Sequence, residues 1–443
     1  MATDLYRDPI FNLKAVVEAT GVSDDALRAW ERRYGLPEPD RTEAGHRIYS
    51  QRDIDIVRWL VARQQEGLRI GRAVELYRSL EESGQDPLRA MPSPADALRL
   101  PTGHQLSDLR EEWLRGCLAF DEQRAEDALT HAFALYPPEV VCLEIIREAI
   151  AEIGRRWYRG EATVHQEHFA AQLAMRRIRT LMSSTPPPSR RGRIMVACPP
   201  NEQHAIGPFI LSLLLRRAGW DVIYLGPNVP VRHMEETVDE TGPDLVILGA
   251  QQLKTAASLH EVARRLGQKD VPVGFGGGIF NRLPQLQERV PGQFMGATIE
   301  EAVEVVGPML FGRDQRPRLR ARPDVYTAAA SHFRDHQLAL LACAWEHVRD
   351  TGLVLEPLRE ITRSFSDALL AALRLGDLDL LTEYVEWLGE LRSEAYGSAD
   401  IVPAVLSAYR DATKAQLNER GEPIVQWLDE QLAQHARGGA GLG

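Results

Sequence analysis

The stretch from Arg193 to Gly207 constrains the fold more than any other part of the sequence. Arg193 to Cys198 is a short apolar run with β-branched side chains, which predicts a strand buried on both faces. Prolines and Asn201 end this run, and helical spacing begins after His204. The sequence therefore predicts a strand, a loop from Glu202 to Gly207 and a helix. The histidine lies at the carboxyl end of a strand, where open α/β sheets bind ligands.

Strands alternate with helices throughout residues 185–315. The predicted strands are 193–198, 220–225, 244–249, 271–275 and about 292–296. This alternation predicts a parallel, doubly wound sheet. Gly276 and Gly277 follow the fourth strand, and glycines without side chains let a large planar ligand approach the backbone. The alternative is that these glycines only turn the chain.

Residues 1–75 have the pattern of two short helices followed by a β-hairpin wing. Leu13 to Thr20 predicts the first helix, and Ser23 caps the second, which has two aspartates in its first turn. A turn at 43–45 joins the two strands of the wing, and residues 51–62 begin another helix. Together these elements predict a winged helix-turn-helix.

Three further regions complete the chain. Residues 76–107 hold four prolines and are predicted to be a connector, with one helical turn at 95–100. Residues 108–184 show apolar heptad spacing and predict a four-helix bundle. Residues 325–435 predict a C-terminal all-α domain, and the tail HARGGAGLG predicts disorder. The fold class is therefore multidomain, α and α/β.

Composition excludes several classes of protein. A chain of 443 residues with 44% hydrophobic residues has room for about three globular domains. Four widely spaced cysteines form no CxxC pair, so neither a disulfide framework nor a zinc site is expected. We expect a cytoplasmic location without membrane contact, because no signal peptide pattern opens the sequence and no apolar run is long enough to span a bilayer.

The motifs WERRYGL and GHRIYS resemble the winged-helix domain of MerR-type regulators. The resemblance implies binding to double-stranded DNA. It assigns base-edge and phosphate contacts to Arg28, Arg32, Arg33 and Tyr34, and phosphate contacts to Arg41, His46, Arg47 and Tyr49. The alternative is a solvated basic helix face. Residues 1–75 hold 12 basic and 13 acidic side chains, so one copy should bind weakly, and we expect a homo-oligomer, a dimer or tetramer.

The pattern Glu202-x-His204-x-x-Gly207 resembles the Asp-x-His-x-x-Gly signature of cobalamin-binding domains. The resemblance implies that His204 is the lower axial ligand of cobalt and that Glu202 holds its imidazole. Two further family signatures are matched by Gln251-Gln252-Leu253, in place of Ser-x-Leu, and by Gly276-Gly277. Gln251 is longer than serine, which puts the affinity of the pocket for the nucleotide tail in question.

Trp157 precedes Glu167-His168 by nine intervening residues, a spacing that resembles the cap helix of light-sensing cobalamin repressors of the CarH type. The resemblance implies that Trp157 packs on the upper-face adenosyl group, beside Glu167 and His168. The alternative for Trp157 is an ordinary core aromatic. Tyr158 stands where this family has a second histidine, so a bis-histidine photoproduct is in doubt. Water, His165 or His168 could take that position.

The C-terminal region resembles the globin-like helices of RsbR-type stress regulators. That resemblance implies a second chromophore, with a linear tetrapyrrole such as biliverdin as the candidate. The candidate side chains in this region are His332, His336, Cys343, Trp345 and His347. The alternative is a bundle for oligomerisation or partner docking.

Taken together, these features predict a cobalamin-dependent, light-responsive transcription regulator rather than an enzyme. Adenosylcobalamin photolysis would change the oligomer that holds the DNA-binding heads. A methyltransferase is disfavoured because a substrate barrel needs ~250 residues, which the remaining length does not supply. A regulator with a degenerate, cofactor-free pocket, controlled by a partner or by the C-terminal domain, stays open as the alternative.

Overall fold

A computed structural model describes residues 9, 11–42, 45–65, 69–82, 88, 104–311, 323–350, 356–390 and 401–439. The chain divides into two compact units, one from residues 1–109 and 129–141 and the other from residues 110–128 and 142–443. Three sequence predictions fall wholly or partly outside the described residues: the wing-tip residues 43 and 44, the helical turn at 95–100, and the last four residues of the tail, 440–443. None of the described helices is both long and apolar enough to cross a bilayer.

The first unit contains the predicted winged helix-turn-helix. Its strands are β1 (Phe11–Asn12), β2 (Asp40–Arg41) and β3 (Arg47–Tyr49), and its helices are α1 (Leu13–Thr20), α2 (Asp24–Tyr34), α3 (Gln51–Gln65) and α4 (Ile70–Glu82). The strands pair antiparallel in the order β1-β3-β2, which makes β2 and β3 the wing. Asn12 and Ser23 accept backbone N–H groups at the starts of α1 and α2. Helix α4 was not predicted and extends into the predicted connector.

Four helical segments occupy the region of the predicted bundle. They are α5 (His104–Leu118), α6 (Glu122–Leu135), a segment made of Pro138–Val140, the π-helical Val141–Arg147 and α7 (Glu148–Tyr158), and α8 (Val164–Ser183). Within the second unit, Arg176 of α8 forms ion pairs with Glu122 and Glu126 of α6. Gln166 also donates to the carbonyl oxygen of Leu118 at 2.7 Å. The π-helical turns were not predicted, because apolar spacing does not distinguish them from α-helix.

A five-stranded parallel sheet forms the α/β part of the second unit. Its strands are β4 (Arg193–Ala197), β5 (Asp221–Gly226), β6 (Leu245–Gly249), β7 (Val273–Gly276) and β8 (Gln293–Phe294), in the order β5-β4-β6-β7-β8. Its helices are α9 (Ile206–Arg217), α10 (Val231–Thr241), α11 (Leu253–Gly267), α12 (Gly278–Arg282) and α13 (Ile299–Phe311). This architecture confirms the predicted doubly wound sheet. The predicted loop is shorter than expected, because Ile206 and Gly207 already belong to α9.

The C-terminal region is all helical, as predicted. Its helices are α14 (Asp324–Asp350), α15 (Glu356–Leu375), α16 (Thr382–Glu390), α17 (Ile401–Leu417) and α18 (Glu422–Gly439). Residues 435–439 of the tail were predicted to be disordered but continue α18, because alanine and arginine propagate a helix that has already started.

One buried cluster joins the C-terminal helices to the sheet. It runs from Met195 and Val246 on one sheet face, through Leu259 of α11, to Leu369 and Leu406 of the C-terminal helices. The opposite sheet face packs against α9 and α13 in a second cluster. The C-terminal helices therefore share a core with the sheet that carries His204.

Candidate functional site

The loop that carries His204 is anchored to the neighbouring strand connection. Cys198 follows the buried end of β4; its backbone N–H donates to the Gly226 carbonyl, and its carbonyl accepts from the Val229 N–H. Asn228 adds two more, since its backbone N–H donates to the Glu202 carbonyl and its side chain accepts from the Asn201 N–H at 2.8 Å. The loop therefore holds a fixed position at the carboxyl edge of the sheet.

The imidazole of His204 is held by a buried carboxylate. Its Nδ1 lies 2.6 Å from Oε1 of Glu202, and the same oxygen accepts the His204 backbone N–H at 2.9 Å. Glu202 is 1% exposed, whereas the His204 side chain is 55% exposed. A hydrogen bond that uses Nδ1 leaves Nε2 as the ring atom for a metal ion.

The charges of the pair reinforce each other. The hydrogen bond to Glu202 raises the pKa of His204 more than burial lowers it, and the charge of Glu167 raises it further. Burial raises the pKa of the Glu202 carboxyl, but hydrogen bonds from His204, Thr255 and the Gln251 backbone lower it below its ordinary value. A metal ion at Nε2 would need that nitrogen free of a proton, while the ionised carboxylate keeps the ring oriented.

The second oxygen of Glu202 ties the histidine loop to α11. Oε2 accepts the Gln251 backbone N–H at 2.7 Å and the Thr255 hydroxyl at 2.6 Å. Sequence reasoning missed Thr255, because no local pattern links a helical threonine to a glutamate 53 positions earlier. It also missed Lys254, whose charge lowers the pKa of His204.

The predicted glycines have different surroundings. A Cβ on Gly276 would meet no heavy atom within 4 Å, and the same holds for Gly207. Gly277 has φ +117°, and a Cβ there would lie 2.1 Å from the Ala250 carbonyl oxygen. Gly276 and Gly207 therefore leave open space for a ligand, whereas Gly277 is required by the approach of β6 and β7.

Gln251 and Leu253 occupy the place of the Ser-x-Leu signature. The Gln251 side-chain oxygen accepts the Gly278 N–H at 3.0 Å, and its backbone carbonyl accepts from Arg282 at 2.7 Å. Leu253 packs against the cluster that the sheet shares with the C-terminal helices. Gln251 is therefore a junction between three loops of the sheet edge.

Of the predicted cap residues, Glu167 acts on His204 electrostatically, since its charge raises the pKa of that imidazole. His168 is 72% exposed and its Nδ1 hydrogen-bonds the Val164 carbonyl oxygen at 2.9 Å. Trp157 lies in the last turn of α7 with 45% of its surface exposed, so the alternative of an ordinary core aromatic does not hold. The side chain of Tyr158 lies outside the described residues. The roles of Trp157 and His168 towards a cofactor stay predictions.

The described residues contain no group of three or more histidine, cysteine, aspartate or glutamate side chains arranged to hold a metal ion. The pair His165 and His168 on α8 therefore has no third protein ligand among them. A single exposed imidazole fits a metal that arrives already coordinated by a macrocycle, with one axial position left for the protein. The donor set around His204 fits cobalamin in this respect.

The first unit presents the predicted DNA-contacting side chains on α2 and the wing. Arg32, Arg33, Arg41 and His46 are exposed. Arg28 is ion-paired with Asp24, and Arg47 is ion-paired with Glu31 at 2.6 Å.

Two predicted DNA-contacting residues are tyrosines, and they differ in exposure. Tyr34 is half-buried, with Arg33 over its ring. Tyr49 is 1% exposed and packs in the core of this unit, so its burial argues against the predicted phosphate contact, which stays a prediction. On a short strand the alternation of faces turned this ring inward.

The C-terminal candidates all lie on α14. The rings of His332 and His336 are 4.3 Å apart, and Cys343 and His347 are one turn apart with Sγ and Nδ1 separated by 3.8 Å. Trp345 packs against the shared core. These positions place the five side chains on one helix but do not define a chromophore pocket.

Three protein families match the chain. A B12 binding domain matches residues 192–306, a second family with the same description matches residues 109–182, and the MerR HTH family regulatory protein matches residues 11–80. None of the three matches extends into the C-terminal helices.

Two relatives from Myxococcus xanthus match this chain over most of their own lengths. The HTH-type transcriptional repressor CarH is 31% identical over 280 residues, which are 62% of this chain and 90% of CarH. The HTH-type transcriptional repressor CarA is 28% identical over 269 residues, 59% of this chain and 85% of CarA. The monomethylamine corrinoid protein of Methanosarcina barkeri aligns with 45% of this chain and 95% of its own, at 17% identity and a TM-score of 0.37.

Proposed function

The chain belongs to the CarH-like MerR-type transcription regulators that carry a cobalamin-binding module, and we propose that it is a light-responsive repressor that binds adenosylcobalamin through His204. The observation that carries the proposal is the pair of His204 and Glu202. A buried carboxylate fixes Nδ1, and more than half of the imidazole side chain remains exposed. CarH and CarA are named repressors, from which we infer the sign of regulation.

The protein's own residues would hold and shield the cofactor. His204 would supply Nε2 to cobalt, Glu202 would keep the ring oriented, and Gly207 and Gly276 would leave room for the macrocycle. Glu167, Trp157 and His168 would border the upper face. Bound adenosylcobalamin supplies a cobalt–carbon bond that light breaks.

A change at the cap must reach the DNA-binding heads to regulate transcription. The head has nearly balanced charge, so we propose that a dimer or tetramer in the cytoplasm brings several heads to repeated half-sites. Photolysis would change the contacts of the cap helices and thereby the oligomer. Such coupling requires that dark and illuminated states differ in their contacts with the cofactor.

An absorption experiment tests the proposal. Purified protein is mixed with adenosylcobalamin, its spectrum is recorded before and after green light, and DNA binding is measured in both states. We expect uptake of the cofactor, a light-dependent change in spectrum and loss of DNA binding after illumination. A protein that takes up no corrinoid would refute the proposal.

One observation favours the alternative of a cofactor-free pocket. The side-chain oxygen of Gln251 already satisfies the Gly278 N–H, where the family has a shorter serine. A regulator of this kind would bind DNA with the same affinity whether or not adenosylcobalamin and light were supplied.

A second chromophore remains a separate proposal for the C-terminal helices. The support is the row of histidine, cysteine and tryptophan side chains on α14. Addition of biliverdin should produce a far-red absorption band if the proposal holds. Unchanged biliverdin absorption would leave partner docking or oligomerisation as the role of this region.

A further inference from the structure

The C-terminal helices have a polar connection to the histidine loop in addition to the shared core. The connection starts at Glu202, whose Oε1 binds His204 and whose Oε2 binds the Gln251 backbone N–H. Both oxygens belong to one buried carboxylate. A displacement of Gln251 therefore pulls on the group that orients the imidazole.

Arg282 extends the connection from Gln251 towards the C-terminal region. Its Nη2 donates to the Gln251 carbonyl oxygen at 2.7 Å, and its Nε lies 3.7 Å from Oε1 of Glu383 on α16. Arg282 ends the short helix α12, which begins at Gly278, the residue that binds the Gln251 side chain. Gln251 is thus held on its backbone and on its side chain by one five-residue helix.

A second polar connection between the sheet and the C-terminal helices is made by Arg289, a few residues later, and it is buried. Arg289 is 5% exposed, and its Nη1 donates to the carbonyl oxygens of Leu375 and Gly376 at the end of α15. Its Nη2 also pairs with Asp377 at 2.5 Å. These buried contacts of Arg289 fix the C-terminal helices to the sheet, because breaking them would leave a guanidinium without partners in the core.

The contacts of Arg282 and of Arg289 differ in how easily they can break. The side chains of Arg282 and Glu383 are 48% and 42% exposed, so solvent can replace their ion pair at low cost. Arg282 can therefore lose Glu383 without unfolding of the core. The C-terminal helices are therefore joined to the sheet by buried contacts at Arg289 and by an exposed ion pair at Arg282 that can open.

We propose that Arg282 is a positioning residue through which helix α16 changes the affinity of His204 for its ligand. With Glu383 in place, Arg282 is kept against the Gln251 carbonyl and the Glu202 carboxylate keeps its three-sided support. When α16 moves away, Arg282 is released and the histidine loop loosens. The inference rests on the proposed corrinoid binding at His204.

Titration of the full-length protein with hydroxocobalamin tests the inference. Arg282→Ala should weaken binding about fivefold to tenfold, since a charged donor to the Gln251 carbonyl is removed. Glu383→Gln should weaken it about twofold to threefold, as expected for an exposed ion pair. Arg264→Ala removes an equally exposed arginine, paired with Glu261 on α11, and should leave binding unchanged.

The double variant separates positioning from general damage. In the Arg282→Ala background, Glu383→Gln should have no further effect, because the ion pair through which it acts is already absent. Additive effects would overturn the inference. So would equal losses in the Arg264→Ala control.

Hydrogen exchange supplies a readout that needs no cofactor. Glu383→Gln and Arg282→Ala should speed amide exchange at Gln251 and at His204, whose N–H groups both donate to Glu202. Unchanged exchange at both would overturn the inference even where corrinoid binds. If the two variants exchange faster at these positions but the wild-type protein binds no corrinoid, the proposed function is refuted, and the tuning of its ligand with it.

Discussion

His204 Nδ1 lies 2.6 Å from Oε1 of Glu202, and that carboxylate is buried while the imidazole is not. The proposed ligation would divide metal binding between the two residues, since the exposed ring would bind the metal and the buried carboxylate would set its direction and basicity. The carboxylate serves four donors at once, from three residues on two segments of the sheet edge. The position of the histidine is therefore a property of the sheet edge as a whole.

Glu202→Gln should weaken corrinoid binding and destabilise the second unit. The amide presents one acceptor oxygen instead of two, so a buried N–H or hydroxyl group loses its partner at a cost of about 1–3 kcal/mol. Urea unfolding and a hydroxocobalamin titration measure the two effects. Glu202→Asp keeps the charge and serves as the comparison. A variant with wild-type stability and affinity would show that the carboxylate is not required.

The two glycines at the end of β7 offer a matched pair. Gly277→Ala should lower the free energy of unfolding by about 1–3 kcal/mol or more, because φ is +117° and the new Cβ would meet the Ala250 carbonyl. Gly276→Ala has open space and should leave stability unchanged while it weakens corrinoid binding. Equal stability losses in both variants would contradict the assignment of Gly277 to the backbone and Gly276 to the ligand.

Arg289→Met should destabilise the second unit strongly although the side-chain volume is nearly kept. The change leaves Asp377 and two carbonyl oxygens without their donor, and breaking a buried pair in this way costs about 3–5 kcal/mol. Chemical denaturation followed by tryptophan fluorescence reports the change. Arg264→Met, on the exposed face of α11, is the control and should cost less than about 1 kcal/mol.

Arg32→Ala and Arg33→Ala should each weaken DNA binding and reduce the slope of log affinity against log salt by about 0.9 for each phosphate that the variant no longer neutralises. Arg72→Ala removes the same charge from α4, outside the predicted contact set, and is the control. Tyr49→Phe should leave DNA affinity unchanged because the ring is in the core. A loss of affinity in Tyr49→Phe would restore the phosphate contact that its burial argues against.

The sequence predicted the parts of the molecule that local patterns encode. An apolar run that stops at prolines, followed by helical spacing, was enough to place His204 at a strand end and Glu202 beside it. Ser23 and the wing hairpin were predicted for the same reason, because caps and turns depend on neighbouring residues.

What sequence reasoning missed depends on contacts between distant positions. Thr255 reaches Glu202 across 53 residues, and Arg289 reaches Asp377 across 88. Neither pairing leaves a local periodicity. The inward position of Tyr49 depends on the register of a three-residue strand, which is too short for alternation to decide its faces.

Electron paramagnetic resonance of the cob(II)alamin-loaded protein tests the central assignment most directly. The unpaired electron of cobalt couples to the axial nitrogen, so a ¹⁴N ligand splits each line into a triplet and a ¹⁵N ligand into a doublet. With ¹⁵N-histidine incorporated and an unlabelled cofactor, we expect doublets, and loss of this histidine coupling in His204→Ala but not in His233→Ala. Triplets that persist in the labelled protein would show that the cofactor keeps its own base, and would contradict ligation by His204.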